Sequence, residues 1–235
     1  MGKLAIKAIA GVVIIYKYSD PSWIFMERKP DNYPHRVFRR KLCPFGGRWG
    51  GNEAKNDENP KSTLIRELEE EFEINRLALP HPGDILRFAE VKRAILNKLT
   101  PFGDFLLVIP PSVFKTADPD SKREIWVSIA SYWTVGLSDE EWETLTKLQR
   151  MYGNLCNEGT STITSLDRVL EFGKPLFSWG SDRVMKEFWV NKGMGAALYV
   201  PFLPGIGVYR LRSEPLGSYR EYLDYYDVFH KPPGV

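Results

Sequence analysis

Residues 59–74, Asn-Pro-Lys-Ser-Thr-Leu-Ile-Arg-Glu-Leu-Glu-Glu-Glu-Phe-Glu-Ile, constrain the fold of this chain more than any other stretch. Asn59 is a good helix N-cap, and Pro60 suits the first helical position, where its missing N–H costs nothing. Ile65, Leu68 and Phe72 recur at helical spacing, so a helix over 60–73 has an apolar stripe to dock on a core. On that helix Glu67, Glu70 and Glu71 stand at i, i+3 and i+4 and share one face. Three like charges side by side repel and weaken an isolated helix. A divalent cation reverses the sign, because hard cations such as magnesium take carboxylate oxygens, waters and substrate phosphates as ligands. Arg66, four residues before Glu70, is placed to pair with it and orient it. The competing reading is a solvated, charge-rich helix face.

The surrounding residues shift the balance. A glycine pair, Gly46-Gly47, precedes the helix, and Glu58 stands seven intervening residues before Arg66. Then come Arg66-Glu67-Leu68, one residue, Glu70-Glu71, one further residue before Glu73, and Ile74. This arrangement resembles the box of the Nudix hydrolase family over Gly47 to Ile74. Two departures stand out. Ten residues separate Gly47 from Glu58 where the pattern has five, an insertion of five, and Glu73 replaces the pattern's second glycine. Surface loops absorb insertions at small cost. A glycine at the end of the box would serve a left-handed turn closing the helix.

The resemblance implies a Nudix-type α/β/α sandwich with a mixed β-sheet over residues 1–191. It also implies hydrolysis of a diphosphate linkage in a nucleoside diphosphate derivative, with Mg2+ or Mn2+ as cofactor. By the same resemblance Glu67, Glu70 and Glu71 hold the metal, Gly47 offers its carbonyl, and Glu58 joins near the helix start. Arg66 steers the carboxylates. Glu67 and Glu158, the latter in Asn157-Glu158-Gly159, are the candidate general bases. Arg39 in the basic run at 36–41, with Arg28 behind it, is the candidate phosphate ligand, since a guanidinium matches phosphate geometry. Trp49, beside the glycine pair, is the candidate base-stacking ring. A nucleotide-sensing module and an enzyme acting on RNA 5′ ends are the alternative readings.

Composition narrows the remaining classes. The net charge of +2 gives no global field for nucleic acid or membrane. Two cysteines, Cys43 and Cys156, make no disulfide framework and suit a reducing, cytoplasmic setting. Leu4 to Tyr16 is apolar but broken by Lys7 and too short to span a bilayer, so it reads as a buried strand. His35, His81 and His230 lack metal-ligand spacing, and no P-loop or GxGxxG fingerprint is present.

Along the chain, Ile6 to Tyr16 and Trp23 to Arg28 read as strands joined by the Ser19–Ser22 turn. Ile85 to Ile95, Phe105 to Ile109 and Glu124 to Val135 read as further strands. Ser138-Asp139-Glu140-Glu141 is a capping box opening a helix to Gln149. Ser165-Leu166-Asp167 reads as a helix start within 160–170, and Ser181 to Asn191 as an amphipathic helix. Residues 192–235 carry Leu198-Tyr199-Val200 and a tyrosine-rich run from Tyr219. Their aromatic content predicts an ordered extension packed on the domain or on a second copy of the chain.

Overall fold

A computed structural model describes residues 6–49, 57–74, 80–167, 177–194 and 205–226. Its strands are β1 (Ala8–Lys17), β2 (Trp23–Arg28), β3 (Leu42–Cys43), β4 (Phe45–Arg48), β5 (Thr100–Ile109), β6 (Trp126–Leu137), β7 (Thr160–Ser165) and β8 (Gly207–Arg212). Its helices are α1 (Pro60–Glu71), α2 (Pro82–Asn97), α3 (Pro111–Lys115), α4 (Asp139–Tyr152), α5 (Ser181–Asn191) and α6 (Tyr219–Tyr225). The strands form one eight-stranded mixed sheet. β1 and β6 run parallel through its centre, and the other pairings are antiparallel.

Helices cover both faces of the sheet, as the layered α/β reading expects. Odd-numbered residues of β1 and β6, among them Val13, Ile15, Trp133 and Val135, pack under α1, α2 and α4. Even-numbered ones, among them Ile14, Tyr16, Ala130 and Tyr132, pack under α5 through Val184, Met185, Phe188 and Trp189. The period-two alternation of a strand thus sorts two cores onto two sides of one sheet. Residues 205–226 are integral to this arrangement. β8 pairs with β5, and α6 buries Tyr219 and Tyr222 against Ile6, Ile9 and Ile129. Asp104, fully buried, accepts from the hydroxyls of Ser131 and Tyr222, which ties α6 to the sheet. Leu198-Tyr199-Val200 and the inserted loop after Trp49 lie outside the described residues.

Two elements differ from the sequence reading. Ile85 to Ile95 is not a strand but the middle of α2, whose buried residues Asp84, Phe88, Val91 and Ile95 follow a helical period. His81 caps this helix by accepting from the Gly83 N–H, with Pro82 at the first position. β-branched residues suggested a strand, and a one-sided apolar stripe overrode them. Thr160 to Ser165, in turn, is the strand β7, paired with β2 along six residue positions, and helical geometry begins only at Leu166. Its alternating Thr and Ser residues and Ile163 suit an edge position.

The strand pairing opens a fork that organises the site. β1 and β2 pair only at Ile15–Phe25 and Tyr16–Ile24. Beyond that point they separate. β3 continues beside β2 (Glu27–Cys43), and β4 lies beside β1 (Gly11–Gly47). α1 crosses the fork from one side.

Candidate active site

α1 forms where the sequence places it. The Asn59 side chain accepts from the Ser62 N–H, Ser62 reciprocates to the Asn59 N–H, and Pro60 occupies the first position. Leu64, Leu68 and Phe72 are buried, and Ile65 is half-buried beside them. Each fully buried side chain of this kind contributes about 1.5–3 kcal/mol of transfer free energy. The helix does not end in a left-handed turn. Phe72 is extended (φ −86°, ψ 92°), so no glycine is required after it. The last carbonyls are capped from outside: Asn157 donates through its backbone N–H to the Glu71 carbonyl and through Nδ2 to that of Glu70. Lys92 Nζ donates to the carbonyls of Glu69 and Phe72. Glu73 can therefore stand where the family pattern has glycine.

The three carboxylates of the helical face occupy three environments. Glu71 is buried, 4% exposed, and its Oε2 has no hydrogen-bond partner. Burial first, then the neighbouring charge of Glu27, pushes its carboxyl up to about 9. Glu67 is largely covered and lies against β4. A Cβ on Gly47 would sit 2.1 Å from Glu67 Cδ, so only glycine allows this approach. Glu70 lies at the exposed rim. Arg66 forks among the acids, with contacts of 2.7 Å to Glu67, 3.0 Å to Glu70 and 3.0 Å to Asp57.

The structure thus brings Gly47, Arg66, Glu67 and Glu71 together at the fork. Glu158 is exposed on the 157–159 turn, which Asn157 anchors to the end of α1, and its charge is felt at Glu71. Glu58 is exposed, and the residue facing Arg66 is its neighbour Asp57. Arg39 donates through Nε to the Tyr33 carbonyl, and Arg28 is exposed at the end of β2. Trp49 stacks on Tyr219 with ring centroids 4.0 Å apart.

Two residues not singled out by the sequence reading complete the fork. Glu27, 1% exposed, lies on the α1 side of β2. Its Oε2 accepts from Lys29 Nζ at 2.6 Å, while Oε1 has no partner. Burial works against the Lys29 ammonium, and neighbouring negative charge, Glu27's included, more than offsets it and keeps the group charged. The clue was period two: Ile24 and Met26 face one core and Phe25 the other, so Glu27 follows Phe25 toward α1. An acid on an inward position of an apolar strand is unusual enough to flag.

Across the sheet lies a cavity of about 250 Å3, lined by Ala10, Val12, Ala130 and Tyr132 and walled by Tyr33, His35, Trp126 and Trp179. Gly46, Gly47, Cys43 and Lys29 form the border with the acidic site. Trp179 stacks on Phe38 at 4.1 Å and meets His35 edge-on at 5.3 Å. Burial, then Arg123, lowers the His35 imidazole to about 4, so it is neutral near pH 7, and its buried Nδ1 has no partner. Burial pushes the Cys43 thiol up, which leaves it protonated in the wall.

Among the described residues, no group of three or more His, Cys, Asp and Glu side chains is already arranged to hold a metal ion. The donor chemistry nevertheless fits a hard cation. Of the three buried carboxylate oxygens that lack any partner among the described residues, two are on Glu27 and Glu71, a state that costs free energy unless something neutralises it. No described helix is long and apolar enough to cross a membrane.

No family model matches the chain, and no curated protein matches it either. Among solved structures it is similar to a mutT/nudix family protein from Listeria innocua, at 14% identity over 81% of this chain and 97% of that one, with a TM-score of 0.43. It is also similar to the E. coli dihydroneopterin triphosphate pyrophosphohydrolase, at 15% identity over 80% of this chain and 99% of that one, TM-score 0.38. A MutT protein from Methanosarcina mazei Go1 overlaps at 13% identity over 82% of this chain and 98% of that one, TM-score 0.41. Overlaps this loose carry no functional weight, so the geometry of the site has to.

Proposed function

We propose that the chain is a metal-dependent pyrophosphohydrolase that cleaves a diphosphate linkage in a nucleoside diphosphate derivative. The observation that carries this reading is the buried, unpartnered carboxylate of Glu71, on the helix that resembles the Nudix box. Glu67, Glu70 and Glu71, with the Gly47 carbonyl, are the residues that would hold Mg2+ or Mn2+. Such a cation, when bound, neutralises phosphate charge and lowers the pKa of a coordinated water.

The chain's own residues do the rest. Arg66 holds Glu67 and Glu70 in place and offsets part of their mutual repulsion. The aromatic cavity, with Trp126 in its wall, offers a ring surface to a planar base, and the glycines at 46–47 border it on the side toward α1. Glu158, exposed and tethered through Asn157, is free to accept a proton from the attacking water; Glu67 is the alternative acceptor. Arg39 and Arg40 are engaged within their own loop, to the Tyr33 carbonyl and to Asp31, which favours a small nucleotide over an RNA backbone as partner.

A panel of nucleoside diphosphate derivatives incubated with Mg2+ should yield products that release phosphate only after a phosphatase is added. Binding without turnover across the panel would support a nucleotide sensor instead. The hold of Arg66 on Glu67 and Glu70 is the feature favouring that second reading.

A further inference from the structure

We infer that Glu27 is a cation ligand of this site, a carboxylate supplied by strand β2 and opposed to Glu71 across the fork. The inference deepens the metal-dependent reading and rests on it. Three elements converge on Glu27. β2 carries it, the 157–159 turn closes over it, and the Asn157 N–H of that turn donates to the Glu71 carbonyl at the end of α1, where Phe72 meets Phe25 of β2 at 5.5 Å. A Cβ on Gly159 would lie 2.3 Å from Glu27 Oε1, so the turn is glycine where this oxygen needs room. That oxygen and Glu71 Oε2 are both buried and unpartnered.

A carboxylate that served only as partner to Lys29 would have both oxygens satisfied or one in water. Here one oxygen accepts from Lys29 Nζ, and the other is buried without a partner against the Gly159 turn, which Asn157 ties to the end of α1. Burying two such oxygens together is unfavourable unless a positive charge lies between them. Lys29 supplies part of that charge from the cavity side, where its ammonium also lies 5.4 Å from the Tyr33 ring centroid. Lys29 is thus the resident counter-ion and a competitor for the cation at the same carboxylate.

The test is Mn2+ affinity of the full chain, by titration calorimetry and by the Mn2+-induced rise in Tm. Lys29→Met alone should keep or raise Mn2+ affinity. Glu27→Gln combined with Lys29→Met removes the ion pair as a unit, which spares the fold. It should lower affinity roughly ten- to a hundredfold and shrink the Tm rise. A double variant binding Mn2+ as tightly as Lys29→Met overturns the inference. If Glu71→Gln has meanwhile lost binding, the metal-dependent reading survives that failure. A wild-type chain that binds no Mn2+ overturns both. Should the double variant not fold, Glu27→Asp withdraws the carboxylate by one methylene while keeping its charge. Wild-type Mn2+ affinity there also overturns the inference.

Discussion

The two sides of the central sheet do opposite things with polar groups. On the α1 side, Glu27, Glu67 and Glu71 crowd carboxyl groups into a covered fork and leave two oxygens without partners. On the α5 side, the cavity is walled by rings and its titratable imidazole is held neutral; the buried Asp182 of α5 also keeps one unpartnered oxygen but does not line the cavity. One side is built to be completed by a positive charge, the other to receive a flat apolar surface. β4, with glycines at 46 and 47, borders the cavity and lies against Glu67 of α1, and Lys29 touches both sides. Binding and chemistry can thus be perturbed separately.

The largest separation should come from Glu71→Gln. Losing a metal ligand forfeits several kcal/mol of charge stabilisation, so turnover should fall about a thousandfold or more. The Tm in chelator should hold near pH 7, because the Glu71 carboxyl, pushed up to about 9, is already neutral there and the amide matches its size. Retained activity in both Glu70→Gln and Glu71→Gln would remove the acidic side from the reaction.

Lys29→Met attacks the bridge. It leaves Glu27 buried without its counter-ion, which costs about 3–5 kcal/mol in chelator, and Mn2+ should restore part of the lost Tm. An unchanged Tm in chelator would mean that the pair carries no structural weight. Trp126→Ala should act on the other side only. Losing one stacking ring is worth about 1–3 kcal/mol, so KM should rise roughly ten- to a hundredfold with the Mn2+ response intact. A drop in kcat at unchanged KM would contradict the division.

A pH series sharpens the contrast. The His35 value falls from 6.5 to about 4 on folding, so the unfolded chain binds more protons between those values. Its contribution to stability is complete above pH 6.5 and lost as pH falls toward 4. The charged groups facing it from the neighbouring elements are Arg123, Arg48, Lys7 and Glu124. His35→Asn should flatten this part of the Tm profile, measured in chelator and citrate-free buffer. The smallest effect belongs to Arg40→Ala. The pair with Asp31 is exposed, so neither Tm nor KM should move measurably.

How much of this was legible in the residues differs between elements. α1 could be read because its cap, its proline and its apolar stripe are local, and the structure keeps all three. The α4 capping box and the amphipathic α5 were legible for the same reason. α2 and β7 were misread because Ile, Val and Thr suit either state. For α2 the face that packs against α4 settled the matter, and for β7 the open edge of β2 did. Glu27 left a trace only in the alternation of a short strand. The glycine missing after Glu71 could not be explained until Lys92, 20 positions beyond Phe72, and Asn157, 87 positions beyond Glu70, were seen capping the helix.

The sequence by itself determined that a capped, acid-faced helix would form and which of its sides would dock, because caps and periodicity depend on residues within a few positions of one another. Only the tertiary structure decided which acids meet. Glu27 reaches Glu71 because β1 and β2 part after two paired positions, and Gly47 and Gly159 leave room at that gap. Long-range pairing and close backbone approach set those contacts, and neither leaves a local pattern in the chain.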